Sequence, residues 1–298
     1  MFLSLKERLE VNSYRQMFGL LGLMLGLALP PLFYGTWGWG WLGAVGGLAV
    51  MLGLLLVLFS SRERQEFSRE KRLPLRQAFK LTLLNRSFLT FEAANFFVQF
   101  ALLTLLASIP FFAKYAAHAN VQTVTLVLAA ACVAAIASLF LWRPLAVRIG
   151  PKRVFLAALL LLAAVLQPLF LITSPGLILL DALLIGAAVA GYLLTGDVLI
   201  AEIIDEDETR TGVRREGAYF GTNTLITRFA VGLQAVGLSA VFVFSGYNPY
   251  VYTQPRGFET GLRLLIAGLP AAALLIGAVI FIFYPLSRGA YHRGARTK

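Results

Sequence analysis

The sequence predicts an all-α polytopic membrane protein with about eight transmembrane helices, and three observations lead there. Of 298 residues, 58% are hydrophobic and 14% charged, with a mean hydropathy of +0.76. A soluble domain carries roughly 25% charged residues and cannot hide this much apolar surface. The apolar residues also fall into runs of the roughly 20 residues that a spanning helix needs. Finally, the net charge of +11 sits between those runs, as membrane flanks do, which argues for a lipid bilayer and against a nucleic-acid partner. The lone Cys132 lies inside an apolar run, so the chain has no internal disulfide framework.

Open strands leave backbone groups unsatisfied in lipid, so the runs are read as helices. Eight fit, at 17–36, 39–59, 88–113, 122–142, 154–173, 176–200, 218–246 and 261–285. Residues 1–16 carry Lys6, Glu7, Arg8, Glu10 and Arg15, and the run after them is too long for the core of a cleaved signal, so it is expected to stay in the membrane. Trp37, Trp39 and Trp41 mark the turn between the first two spans, where aromatic rings suit the interface. Gly22/Gly26 and Gly43/Gly47 form small-xxx-small pairs that let helices approach closely, unless they are merely glycine-rich sequence without a defined partner. In the long basic connection 60–87, Leu75, Phe79 and Leu83 recur every four residues among Arg76, Lys80 and Arg86. That pattern predicts a short amphipathic helix on the membrane surface. The remaining connections are short, apart from 201–217 and 247–260.

Orientation follows from the basic residues. Segments 1–16, 60–87, 143–153, 201–217 and 286–298 hold 22 Lys and Arg; the opposite side has Lys114, Arg256 and Arg263, and Arg228 lies within a span. Both termini are therefore expected in the cytoplasm, in a multi-pass protein of the plasma (inner) membrane.

Polar residues inside the spans nominate a site. Glu92, Asn95 and Gln99 share one face of the third span, and Asn223, Thr227 and Gln234 form a stripe on the seventh, with Thr224 and Arg228 beside it. Spans two, five and eight have almost no polar residue at mid-depth, a rhythm that predicts lipid-facing helices at every third position. Arg228 lies about 15 Å from the start of its span at ~1.5 Å per residue, near the middle of a hydrocarbon core about 30 Å thick. Gln99 reaches a similar depth. A central arginine costs at least ~2.5 kcal/mol on insertion, so it faces a wet cavity or an acid, unless backbone carbonyls satisfy it. The expected substrate contacts are Arg228, Gln99, Asn95 and Thr224.

A second group follows Asp197, where acids crowd the end of span six and Arg210, Arg214 and Arg215 precede span seven. The loop is either simply solvated or pairs with the basic connections 143–153 and 60–87, closing a cavity and releasing it. The second alternative makes Asp197, Asp205, Asp207, Glu208, Arg214, Glu216 and Arg148 gating or charge-pair residues. An intramembrane aspartyl protease built on Asp181 and Asp197 is excluded. Leu194-Thr195-Gly196-Asp197 lacks the first glycine of Gly-x-Gly-Asp, and the two acids lie about 24 Å apart on one helix at ~1.5 Å per residue. The chain is not expected to be an enzyme or to hold a metal or organic cofactor.

Asp197, Ile204-Asp205, Asp207-Glu208, Thr211-Gly212, Arg214 and Glu216-Gly217 resemble the loop between helices ten and eleven of the glycoside–pentoside–hexuronide:cation symporters. These are the melibiose-carrier-like branch of the major facilitator superfamily. Arg228 falls where members of that family often carry an intramembrane lysine. Arg143-Pro144-Leu145-Ala146-Val147-Arg148-Ile149-Gly150-Pro151-Lys152-Arg153 is similar to the basic loop between helices eight and nine. Asn85-Arg86-Ser87-Phe88 resembles the start of helix seven, and Glu7-Arg8 with Tyr14-Arg15 the start of helix five. The loop pattern is fairly specific; the other pieces are weak alone.

The resemblance implies a partial major facilitator fold covering helices five to twelve. Residues 1–59 would be the last two helices of the N-terminal bundle, 60–87 the basic cytoplasmic central loop, and 88–298 a six-helix C-terminal bundle and tail. It implies a symporter-like carrier of a small solute, a sugar or glycoside, working by alternating access; lipid-like cargo is open, since relatives with lysolipid substrates share the architecture. A coupling Na+ or H+ fits the family, but the acids that bind it in the melibiose carrier lie on helices that this sequence does not match, so no coupling site is assigned. The expected partners, besides the solute and the bilayer, are a separate N-terminal helix bundle or a second copy. A non-transporting membrane subunit or a relic of such a carrier is the alternative.

Overall fold

The computed structural model describes residues 4–60, 74–117, 119–172, 174–248, 250–251 and 254–285. Residues 61–73 of the basic connection and 286–298 of the tail lie outside the described residues. What is described is helical. Helix α1 (Leu5–Ser60) has two arms separated at Gly38, whose φ of 81° no side chain tolerates well. The break falls at the predicted turn, and the first arm contains the predicted first span. Helix α2 (Leu75–Leu83) is the amphipathic segment: Ala78 and Thr82 are buried, and Phe79 and Leu83 are exposed. Then come α3 (Arg86–Tyr115), α4 (Val121–Ile149) and α5 (Pro151–Val165). Helices α6 (Pro175–Thr211) and α7 (Glu216–Phe244) follow. Last are α8 (Arg256–Arg263) and α9 (Leu269–Ile282), joined by a π-helical turn at Leu264–Gly268.

Among the described residues, seven helices are long and apolar enough to cross a membrane, beginning with Trp37–Ser60 and ending with Gly257–Ile282. The chain is an integral multi-pass membrane protein. Hydropathy places the spans but not their ends, because a polar helix in water reads as a loop. Helix α4 stays helical through the basic residues to Ile149, and α6 stays helical through its acids to Thr211, where Gly212 closes it in the left-handed conformation.

Packing rests on small residues. Lipid is as apolar as a core, so helices associate where backbones can approach. A Cβ on Gly186 of α6 would lie 2.0 Å from the Ala131 carbonyl oxygen of α4, and one on Gly191 would lie 2.8 Å from the Ala158 Cβ of α5. Gly277 of α9 sits in the same way on the Ala94 carbonyl of α3, its Cβ position 3.1 Å from that oxygen. The expected pairs Gly22/Gly26 and Gly43/Gly47 have nothing within 4 Å of their Cβ positions; the close approaches lie elsewhere.

The expected lipid-facing rhythm also needs correction. Half of the apolar stretch of Pro151–Phe170 and 56% of that of Gly257–Ile282 are buried, as much as in Gly176–Thr211. Among the seven spanning helices of the described residues, the second predicted span is wholly unburied. In a membrane, apolar composition does not tell a lipid-facing helix from a core helix.

The first arm of α1 lies along α4 and α6 through Leu9 and Leu20, which pack with Ala135, Leu139, Leu194 and Val198. Asn12 donates to the carbonyls of Leu194 at 2.7 Å and Leu193 at 3.3 Å. Ion pairs gather the start of α1, the end of α4 and the α6–α7 junction at one end of the bundle. At the other end an aromatic group closes α3, α7 and α8, with Phe111 and Phe242 at 4.7 Å and Tyr247 and Phe258 at 4.8 Å between ring centroids.

Candidate functional site

Three helices bring polar side chains together at mid-depth. Gln99 is about 20 Å along α3 from Arg86, at ~1.5 Å per residue. Its Nε2 donates to the Tyr192 hydroxyl of α6 at 2.9 Å. That hydroxyl donates to Asn95 Oδ1 at 2.8 Å, and Asn95 Nδ2 donates to Asn223 Oδ1 of α7 at 3.0 Å. Two of the expected contact residues, Asn95 and Gln99, are thus joined by two that the sequence reading left off its site, Tyr192 and Asn223. A tyrosine in the middle of the Ala/Gly-rich run of α6 is the signal that was available, since a buried phenol needs a partner.

Glu92 lies one turn before Asn95. It is 1% exposed, and among the described residues neither carboxylate oxygen has a hydrogen-bond partner.

The other two expected contacts lie apart from this chain of bonds. Thr224 and Arg228 face outward on α7 and are exposed. Thr224 Oγ1 bonds back to the Phe220 carbonyl at 2.9 Å, and Arg228 makes no ion pair or hydrogen bond among the described residues. Its helix is thinly covered, with 6% of its apolar stretch buried.

The charged end holds the second group. Asp205 pairs with Arg8 at 2.5 Å and with Arg214 at 3.2 Å. Arg214 also reaches Glu208 at 2.5 Å and Glu216, through Nε, at 2.7 Å. Burial works against the Arg214 charge, but the bonds to Glu216 and Glu208 outweigh it and hold the guanidinium above its ordinary value. Asp197 accepts from Gln16 at 3.0 Å and faces Arg15 at 3.4 Å. Asp207 and Arg215 form a pair that is almost wholly buried. Arg143 of α4 takes Glu10 at 2.6 Å, while Arg148 lies exposed on the last turn of α4. Among the described residues, Asp205 and Asp197 thus meet the first arm of α1, and Asp205, Asp207, Glu208 and Glu216 meet arginines of their own junction. Arg8, Arg15 and Gln16 are not among the expected partners, because Asp205 and Asp197 lie some 180 to 200 positions from them and leave no local signal; Glu10, opposite Arg143, and Arg215, opposite Asp207, are not among them either.

Elsewhere an apolar cavity of about 80 Å³ lies between α3, α4 and α6, lined by Leu105, Ile109, Val127, Ala131 and Ile185. Among the described residues no cluster of His, Cys, Asp and Glu is placed to hold a metal ion.

Comparisons with known proteins agree with this architecture. The family model described as MFS/sugar transport protein matches residues 3–288. An uncharacterized symporter of Synechocystis sp. is 30% identical over 74% of this chain and 42% of its own length. The isoprimeverose transporter of Lactiplantibacillus pentosus is 23% identical over 95% of this chain and 61% of its own. The sodium-dependent lysophosphatidylcholine symporter 1 of Gallus gallus is 22% identical over 82% and 47%. The chain spans about half the length of these curated relatives.

Proposed function

We propose, because the chain belongs to the MFS/sugar transport protein family, that it works in secondary active transport. On this reading it moves a small solute of the sugar or glycoside class across the plasma membrane by alternating access. Its family and relatives are transporters, not enzymes. The observation that carries the reading is the meeting of Gln99, Tyr192, Asn95 and Asn223 from three helices at mid-depth. Amide and phenol groups suit sugar hydroxyls, which donate and accept alike. Arg228 and Thr224, exposed on the outward face of α7 and apart from that cluster, are assigned to the surface that a solute or partner meets on that side. A wet cavity, a solute or another helix must cover Arg228, because bare lipid at that depth is costly. A separate helix bundle or a second copy of the chain is the partner we assign to that face.

The gate is the charged end. Three ion pairs, Arg8–Asp205, Arg15–Asp197 and Glu10–Arg143, tie residues 1–59 to residues 88–298. Partly solvated pairs are each worth about 0.2–1 kcal/mol. Together they come to the few kcal/mol that separate exchangeable conformers, enough to hold a closed end and little enough to release it. We assign this side to the cytoplasm from the distribution of Lys and Arg along the sequence.

A lipid-like solute is the second reading, supported by the similarity to the sodium-dependent lysophosphatidylcholine symporter 1 of Gallus gallus. Uptake of labelled isoprimeverose and of labelled lysophosphatidylcholine, the solutes named for two relatives, decides between them in vesicles of the native membrane. Arg228→Gln should abolish uptake of the true solute while leaving membrane amount near normal, and Arg228→Lys should keep part of it if a point charge suffices. Full uptake by the Gln variant sinks the site assignment.

A further inference from the structure

We propose that Glu92 is a proton-binding site beside the mid-depth cluster, and that it carries its proton in the conformation described. The carboxyl is 1% exposed, and both of its oxygens lack a hydrogen-bond partner among the described residues. The Asn95 amide one turn on stands beside it without completing a bond. An ionised carboxylate in this surrounding loses its hydration with nothing to return it. Taking one proton from a bulk hydronium forms a single O–H bond, leaves water behind, and brings the group from −1 to neutral.

The surroundings choose a proton over a metal cation. A hard cation collects a shell of about six oxygen ligands. Here the Asn95 and Asn223 side-chain oxygens and the Tyr192 hydroxyl already accept hydrogen bonds, which leaves the two Glu92 oxygens alone. Among the described residues no cation forms an ion pair with Glu92 either. Tyr192 of α6 is the titratable group within electrostatic reach of Glu92, and it also feels Asp197. Helix α9 carries no titratable group. Those of α7 (Glu216, Tyr219, Arg228), α8 (Glu259, Arg263), α2 (Arg76, Lys80) and α4 (Cys132, Arg143, Arg148) make no bond to Glu92.

Losing the proton would set a bare charge next to Asn95, whose amide is already committed to Tyr192 and Asn223. Proton occupancy and solute affinity are then coupled, and reciprocally so. That coupling rests on the transport reading above; the proton site itself does not.

Infrared spectroscopy of the purified full chain in lipid nanodiscs at neutral pH tests the site without transport. A carboxylic-acid C=O band should be present, should shift when glutamate is ¹³C-labelled, and should be lost in Glu92→Gln. In the labelled chain Glu92→Asp, which keeps the acid if the Gln variant does not fold, should remove that label-shifted band. No Glu92-dependent C=O band at neutral pH overturns the proposal, and so does a band that vanishes when Na+ is added at constant pH. If the band behaves as expected but no uptake is found in native vesicles, the transport reading fails and the proton site stands.

Discussion

The helices α5, α6 and α9 and the pair formed by α7 and the second arm of α1 are built from similarly apolar sequence, yet they sit in opposite surroundings. Half or more of the apolar stretches of Pro151–Phe170, Gly176–Thr211 and Gly257–Ile282 is buried, against 6% of Glu216–Phe244 and none of Trp37–Ser60. What separates the two regions is room at the backbone. Gly186, Gly191 and Gly277 stand where a methyl group would strike a neighbouring helix, whereas Gly43 and Gly47 stand in open space. The thinly covered region is also where the deep charge lies: Arg228 and Thr224 are exposed on α7. The packed region brings backbones together, and the uncovered one leaves the Arg228 charge facing outward.

This contrast can be broken by substitution, and the largest effect should come from the buried pair at the charged end. Asp207→Ala strands Arg215 and should cost about 3–5 kcal/mol in unfolding of the purified chain. Replacing both residues by leucine should recover much of it, because the cost lies in the uncompensated charge. If the double variant is as unstable as the single one, the pair is not what holds the α6–α7 junction.

The next effect separates the regions directly. Gly186→Val drives a side chain into the α4 backbone and should cost about 1–3 kcal/mol. Gly47→Val meets nothing and should stay within ~0.5 kcal/mol. Equal losses would contradict the division into packed and uncovered parts. A silent Gly47→Val in the purified chain that nevertheless cuts uptake in native membranes would show that a partner covers the second arm. Asp205→Asn should also be small, within ~1 kcal/mol, because its ion pairs are partly solvated.

Much of the fold was legible in the sequence. Runs of about 20 apolar residues located the spans, a tryptophan-flanked glycine marked the break in α1, and period-four leucines and a phenylalanine marked α2. Helix ends were hidden because hydropathy is blind to a helix that continues into water, as α4 and α6 do. Which helices lie at the core was hidden for a different reason: lipid and protein interiors are equally apolar, so only backbone proximity distinguishes them. Of the site, spacing of three and four put Glu92, Asn95 and Gln99 on one face. The bonds of Asn95 to Tyr192 and Asn223, and of Asp205 to Arg8, join residues some 100 to 200 positions apart. Those follow from the tertiary arrangement alone.

The central claim is that the charged end opens and closes while the mid-depth cluster holds the solute. Spin labels on Val11 of α1 and Thr209 of α6, in a Cys132→Ala background in nanodiscs, report that end directly through their pulsed-dipolar distance distribution. The wild type should show one dominant short distance, and Arg8→Gln with Asp205→Asn should add a longer one as the closed population is released. A single unchanged distance in both proteins would contradict the gate.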